Sequence, residues 1–218
     1  TPMYLYQYWH VIPRMLQILH HKPKLIVSLR DPVARTQSAK EMYRKGRTEE
    51  VMEKIILEEL DHMKNFNITV DSTIGDFALF NKKYWNVQGN TGSHFVGKSL
   101  YYFQVKAWME HFHLSTQLYI YDFDDWKRNT QFEMDKIYAF LGIEPAPLQY
   151  AKLKKSENRI VGTVRSHKPY FPFSDHVKNL LCSFYEPFNK KLEELLQKEF
   201  HWDSCKNVTI VDDGSHYH

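Results

Sequence analysis

Cysteine, glycine and long apolar runs are all scarce in this sequence. Its 218 residues include two cysteines and eight glycines. Cys182 and Cys205 are too few for a disulfide framework, and their spacing suits no zinc site. No apolar run approaches the ~18 residues of a membrane span, and no signal peptide is visible. Charge is nearly balanced: 29 Lys and Arg against 26 Asp and Glu leave a formal +3, which excludes a polybasic nucleic-acid binder. What remains is a chain long enough to bury a full core as one domain. Fourteen Tyr and fourteen Phe supply aromatic surface for a core or a sugar-contacting cleft. Asn67-Ile68-Thr69 and Asn207-Val208-Thr209 fit the N-glycosylation pattern, compatible with a secretory lumen.

The most informative stretch runs from Lys24 to Ser38. Leu25-Ile26-Val27-Ser28-Leu29 has the composition of a strand buried on both faces of a parallel sheet. Asp31-Pro32 then reads as a helix start, a capping carboxylate followed by a proline whose missing N–H costs nothing there. A strand therefore feeds a helix directly, leaving Arg30 at the strand's carboxyl end, where open α/β sheets bind ligands. Ser38 follows about two turns later and returns to the capped face. A guanidinium, free helix N–H groups and a hydroxyl converging on one point suit a phosphate.

The pattern L-R-D-P-x-x-R-x-x-S after an apolar strand resembles the 3′-phosphate-binding segment of sulfotransferases that use 3′-phosphoadenosine 5′-phosphosulfate, most closely the carbohydrate, heparan-sulfate-type branch. That resemblance implies that Arg30 and Ser38 hold the donor's 3′-phosphate. It extends along the chain. Thr1-Pro2-Met3-Tyr4-Leu5 resembles the family's T/S-P-x-Y segment. Lys98-Ser99-Leu100-Tyr101 and the helix carrying Trp108, the strand over residues 117–121, the acidic turn Asp122-Phe123-Asp124-Asp125-Trp126 and a helix ending Phe140-Leu141-Gly142 follow the family's order. Thr163-Val164-Arg165-Ser166-His167-Lys168-Pro169 resembles the K-G-R-x-H-P loop that folds over the donor, so Arg165, Ser166 and His167 are implied phosphate contacts. Val164 replaces the family's glycine there, Lys168 is inserted, and the family's upstream cysteine pair is absent. The helices after Phe173 resemble the family's terminal pair, with Pro187 starting the second.

Elsewhere, residues 48–66 carry Val51, Ile55, Ile56, Leu60 and Met63 at helical spacing with Glu49 and Glu50 in the first turn, an amphipathic helix that packs on the core and carries no chemistry. Residues 67–98 read as loop with short elements. Within them Gly92-Ser93-His94-Phe95-Val96-Gly97-Lys98-Ser99 fits G-x-x-x-x-G-K-[ST], a phosphate-cradling P-loop, and Asp122 downstream suits a magnesium ligand. What precedes Gly92 is too polar for the buried strand a P-loop must follow.

The expected architecture is α/β, a P-loop-NTPase-like sulfotransferase fold with a central parallel sheet flanked by helices. A sulfotransferase domain spans residues 1–202, followed by a tail over 203–218. The expected reaction is sulfuryl transfer from 3′-phosphoadenosine 5′-phosphosulfate, without a metal, to a hydroxyl or amine of a carbohydrate, an anionic polysaccharide among the candidates, in the Golgi lumen. By the resemblance, the first strand, the 5′-phosphosulfate loop and the catalytic carboxylate belong upstream of Thr1, as would any membrane anchor. No catalytic residue is therefore assigned within the chain, which on its own is expected to be inactive. Three rivals stay open: a P-loop NTPase or kinase using Gly92 to Ser99 with magnesium, a non-catalytic glycan-binding relative, and a bare structural domain.

Overall fold

The apolar run Leu25–Leu29 forms β1 and the segment Leu118–Asp122 forms β2. In the computed structural model, which describes residues 2–43, 46–87, 94–147 and 171–206, the two pair in parallel, Leu25 opposite Leu118 through to Leu29 opposite Asp122. Parallel strands need a long crossover. Here it is helical, running through α3 (Pro32–Tyr43), α4 (Glu49–Asn65), α5 (Ile74–Val87), a 3-10 turn (Gly97–Ser99) and α6 (Tyr101–Met109). Before β1 lie α1 (Pro2–Tyr6) and α2 (Tyr8–Ile18); after β2 come α7 (Phe123–Arg128), α8 (Thr130–Leu141) and α9 (Asp175–Leu196). The result is a mixed α/β chain, mostly helical, whose parallel sheet is two strands wide among the described residues.

Local chemistry explains the element boundaries. Asp31 Oδ1 accepts from the N–H groups of Val33 (2.9 Å) and Ala34 (3.0 Å), capping α3 as its sequence implies. Thr48 caps α4 by accepting from Val51 N–H. Gly142, with φ 76°, closes α8 in the left-handed conformation that glycine adopts without a Cβ penalty.

Four expectations are corrected. β1 is not buried on both faces: Leu29 is fully enclosed, but Ile26 is 41% exposed and Ser28, two residues on and on the same face, is exposed with it. Residues 74–87 are helix α5, held by the buried Phe77, Phe80, Asn81 and Tyr84 at helical spacing. The acidic turn is helix α7, capped by Asp122 Oδ1 accepting from Asp124 N–H at 2.8 Å. Pro187 does not start a second helix but lies inside α9. A proline there costs about 3 kcal/mol, which the unbroken buried stripe Val177, Leu181, Phe184, Phe188 and Leu192 outweighs.

Cys182 and Cys205 form a disulfide. It holds residues 203–206, placed in the tail by the sequence, against α9. Ser204 N–H also donates to Asp31 Oδ2 at 2.9 Å, so this segment reaches the end of β1. No helix among the described residues is long and apolar enough to cross a membrane.

Candidate functional site

Arg30 sits where β1 ends and α3 begins, on the wall between two depressions. One is a cleft of about 660 Å³ lined by Leu25, Ile26, Val27 and Ser28 of β1, by Trp108 of α6, and by three cations, Arg30, Arg35 and Lys98. Four consecutive strand residues line it, so it runs along the open edge of β1 and not over one face. The other is a polar recess of about 400 Å³ bounded by Arg30, Asp31 and Ala34, by Lys127 and Arg128 of α7, and by His201 and Ser204 of the disulfide-tethered segment.

The charges differ between the two. In the recess Lys127 pairs with Asp124 and Arg128 with Asp125. The cleft has no carboxylate among its lining residues. Arg30 stacks its guanidinium over the Phe123 ring at 5.8 Å, and its Nε is buried without a hydrogen-bond partner. Arg35 Nη1 donates to the Phe95 carbonyl at 2.6 Å. Neither arginine is ion-paired to a carboxylate among the described residues. Lys98 is 6% exposed, and its ammonium lies 5.9 Å from the Tyr6 ring centroid. Burial, with help from the Arg35 charge, holds its pKa down to about 8, against the opposing pull of Glu59. A lysine depressed in the fold destabilises it while protonated there, and that cost is relieved as pH rises from about 8 toward the ordinary value of 10.5.

Of the residues implicated by sequence, Arg30 is brought to the cleft and recess together. Ser38 lies one turn beyond Ala34 on α3 and is exposed, and it lines neither depression. Arg165, Ser166 and His167 lie outside the described residues.

The P-loop match acquires a different meaning. The N–H groups of Phe95, Val96 and Gly97 converge, as a phosphate cradle's would, but on the carboxylate of Glu59, at 2.7, 3.0 and 2.9 Å. Glu59 comes from α4, the helix read as carrying no chemistry, and is fully buried. Gly97 is glycine because of close packing: a Cβ there would meet Met63 Cε at 3.1 Å and Glu59 Oε1 at 3.4 Å. Asp122, the magnesium candidate, is 1% exposed and caps α7. Burial raises its carboxyl above the usual range. No group of three His, Cys, Asp or Glu among the described residues is arranged to hold a metal ion.

Sequence reasoning passed over Arg35, Lys98 and the 201–204 wall. Arg35 is the second arginine of the motif around Arg30, and Lys98 falls within the P-loop match. Nothing in the sequence marks Ser204, which is placed by the disulfide. Compared with known proteins, the chain matches no family model and no curated sequence.

Proposed function

We propose that this chain is a sulfotransferase of the heparan-sulfate type, moving a sulfuryl group from 3′-phosphoadenosine 5′-phosphosulfate to a hydroxyl or amine of a carbohydrate. In that reaction the bond between sulfur and the donor phosphate oxygen breaks, a bond from sulfur to the acceptor oxygen or nitrogen forms, the acceptor proton passes to a base, and 3′,5′-bisphosphoadenosine leaves. The observation that carries the reading is Arg30: a guanidinium with a buried, unpartnered Nε at the end of a parallel strand, beside the Asp31-capped start of α3. The guanidinium suits a phosphate, whereas the first N–H groups of α3, expected to join it, are taken by Asp31. The Cys182–Cys205 disulfide agrees with an oxidising compartment such as the Golgi lumen. The kinase reading loses support because Glu59 already receives the N–H groups that would cradle a nucleotide's phosphates.

Two measurements test this. At about a hundred times its dissociation constant, 3′,5′-bisphosphoadenosine should raise the melting temperature by roughly 5–10 °C, and magnesium ATP by much less. A larger shift with magnesium ATP would favour the NTPase. Arg30→Ala should weaken bisphosphoadenosine binding about tenfold or more, the loss of a charge-assisted hydrogen bond; unchanged affinity in calorimetry would remove Arg30 from the site.

A further inference from the structure

Asn67-Ile68-Thr69 plays no part in the donor site and lies where α4 ends. The helix closes in a Schellman arrangement: Asn67 N–H donates to the Lys64 carbonyl at 2.9 Å and Ile68 N–H to the Met63 carbonyl at 3.0 Å. Ile68 and Met63 are both buried, which pins the middle of the motif inside and leaves Asn67 exposed. Asn67 has φ 53°, the left-handed position that glycine takes most cheaply and asparagine next. Asparagine adds a side-chain amide there, and among the described residues only the backbone of Asn67 is hydrogen-bonded. Thr69 supplies the hydroxyl that the glycosylation pattern requires two residues on.

The surface beside Asn67 suits a sugar. A hollow of about 420 Å³ opens there, with Phe66 and Leu79 on its apolar side and Asp71, Ser72 and Asp76 on its polar side. Phe66 is fixed by an edge contact with buried Phe80 and by the Lys83 ammonium 5.3 Å from its centroid, yet it is 39% exposed, and Leu79 is 51% exposed. A hexosamine has both matching surfaces, an apolar C–H face for the ring and leucine, and hydroxyl donors for the carboxylates. The Cys182–Cys205 disulfide agrees with passage through an oxidising compartment, the kind in which asparagine is glycosylated.

We infer that Asn67 is an N-glycosylation site whose innermost N-acetylglucosamine covers Phe66 and Leu79. The co-reactant is a lipid-diphosphate-linked oligosaccharide, and the catalyst is the compartment's own oligosaccharyltransferase. The bond from the sugar's C1 to the diphosphate oxygen breaks, its electron pair leaving with the diphosphate. A bond from C1 to Asn67 Nδ2 forms, and the displaced amide proton passes to a base of the transferase. Neither the motif nor the disulfide depends on the donor reading above.

The test expresses the chain behind a cleavable secretion leader in a eukaryotic host, in an Asn207→Gln background because the second motif lies outside the described residues. Peptide N-glycosidase, which converts a glycosylated asparagine to aspartate, is applied in heavy-oxygen water, and peptide mass spectrometry reads the label. Label at Asn67 is expected in this parent and in Thr69→Ser, and none in Thr69→Ala or in Asn67→Gly, which keeps the left-handed turn. Unlabelled Asn67 in translocated chains, secreted or retained, would overturn the site. For the sugar contact, parent trimmed to its first sugar by an endoglycosidase is compared with parent made while lipid-linked oligosaccharide synthesis is blocked. The single sugar should raise the melting temperature by roughly 2–4 °C, as covering a small apolar area would, and Phe66→Ser should remove most of that gain. A modified Asn67 without the gain would leave the site standing and overturn the contact.

Discussion

Glu59→Ala should destabilise the fold by about 3–5 kcal/mol, the range for removing one partner of a buried charged arrangement. Three backbone N–H groups lose their acceptor at once, and the negative charge facing Lys98 disappears. Buried donors left unsatisfied cost about 1–3 kcal/mol each before relaxation. Glu59→Gln separates charge from shape: its amide offers one acceptor oxygen and sets N–H groups against N–H groups, so it should recover little. Urea denaturation of the three proteins is the measurement, and a Gln variant as stable as wild type would show that the carboxylate is neutral in the fold. The pH dependence has a definite sign. Burial raises the Glu59 carboxyl above its ordinary 4.5, with the three N–H donors and Lys98 pulling the other way. The folded chain therefore holds this proton more tightly than the unfolded one. Glu59's contribution is largest below the unfolded value and declines as pH rises through the folded one.

Breaking the Cys182–Cys205 bond should cost about 3 kcal/mol, since it closes a loop of intermediate length between residues 23 apart. For a chain of this size that corresponds to a melting temperature lower by roughly 6–12 °C. Cys205 is exposed, within reach of a reductant, whereas Cys182 is buried. The effect should also reach the recess, because the bond holds Ser204 where its N–H meets Asp31. Thermal scans with and without reductant, alongside Cys205→Ser, provide the check. Identical melting temperatures would show that stacking of Phe200 on Trp202, 4.4 Å between centroids, holds the segment without covalent help.

What was legible in the sequence was whatever short-range chemistry decides. Leu25 to Leu29 followed by Asp31-Pro32 announces strand, turn and capped helix, and Thr48 with Glu49 and Glu50 announces α4. Helix α5 was hidden by Gly75 in its first turn and by aromatics that read as irregular, although Phe77, Phe80 and Tyr84 recur with helical period. Pro187 misled because its local cost is plain in the sequence, whereas the burial that offsets it depends on partners elsewhere in the chain. The site divides in the same way. Arg30 is positioned by its neighbours in sequence and could be found there. Arg35 and Lys98 become one feature only after a turn 60 residues away docks on α3, and Glu59 meets its amides across a gap of 36–38 residues. No local pattern encodes either meeting.

Asp31 fixes the start of α3 with one oxygen and with the other accepts from Ser204, 173 residues later. Thr36, one turn along the same helix, bonds Tyr185 across 149 residues. On a ribosome adding about 5–20 residues per second, the interval between Asp31 and Ser204 is roughly 9–35 s. Throughout it the strand beside Arg30 has left the peptidyl-transferase centre without the segment that finishes its surroundings, and no local contact substitutes for that segment. Long-range closures of this kind come late in folding. Until residue 204 has emerged, the recess beside Arg30 therefore lacks one of its walls, and Asp31 Oδ2 lacks the N–H it accepts from.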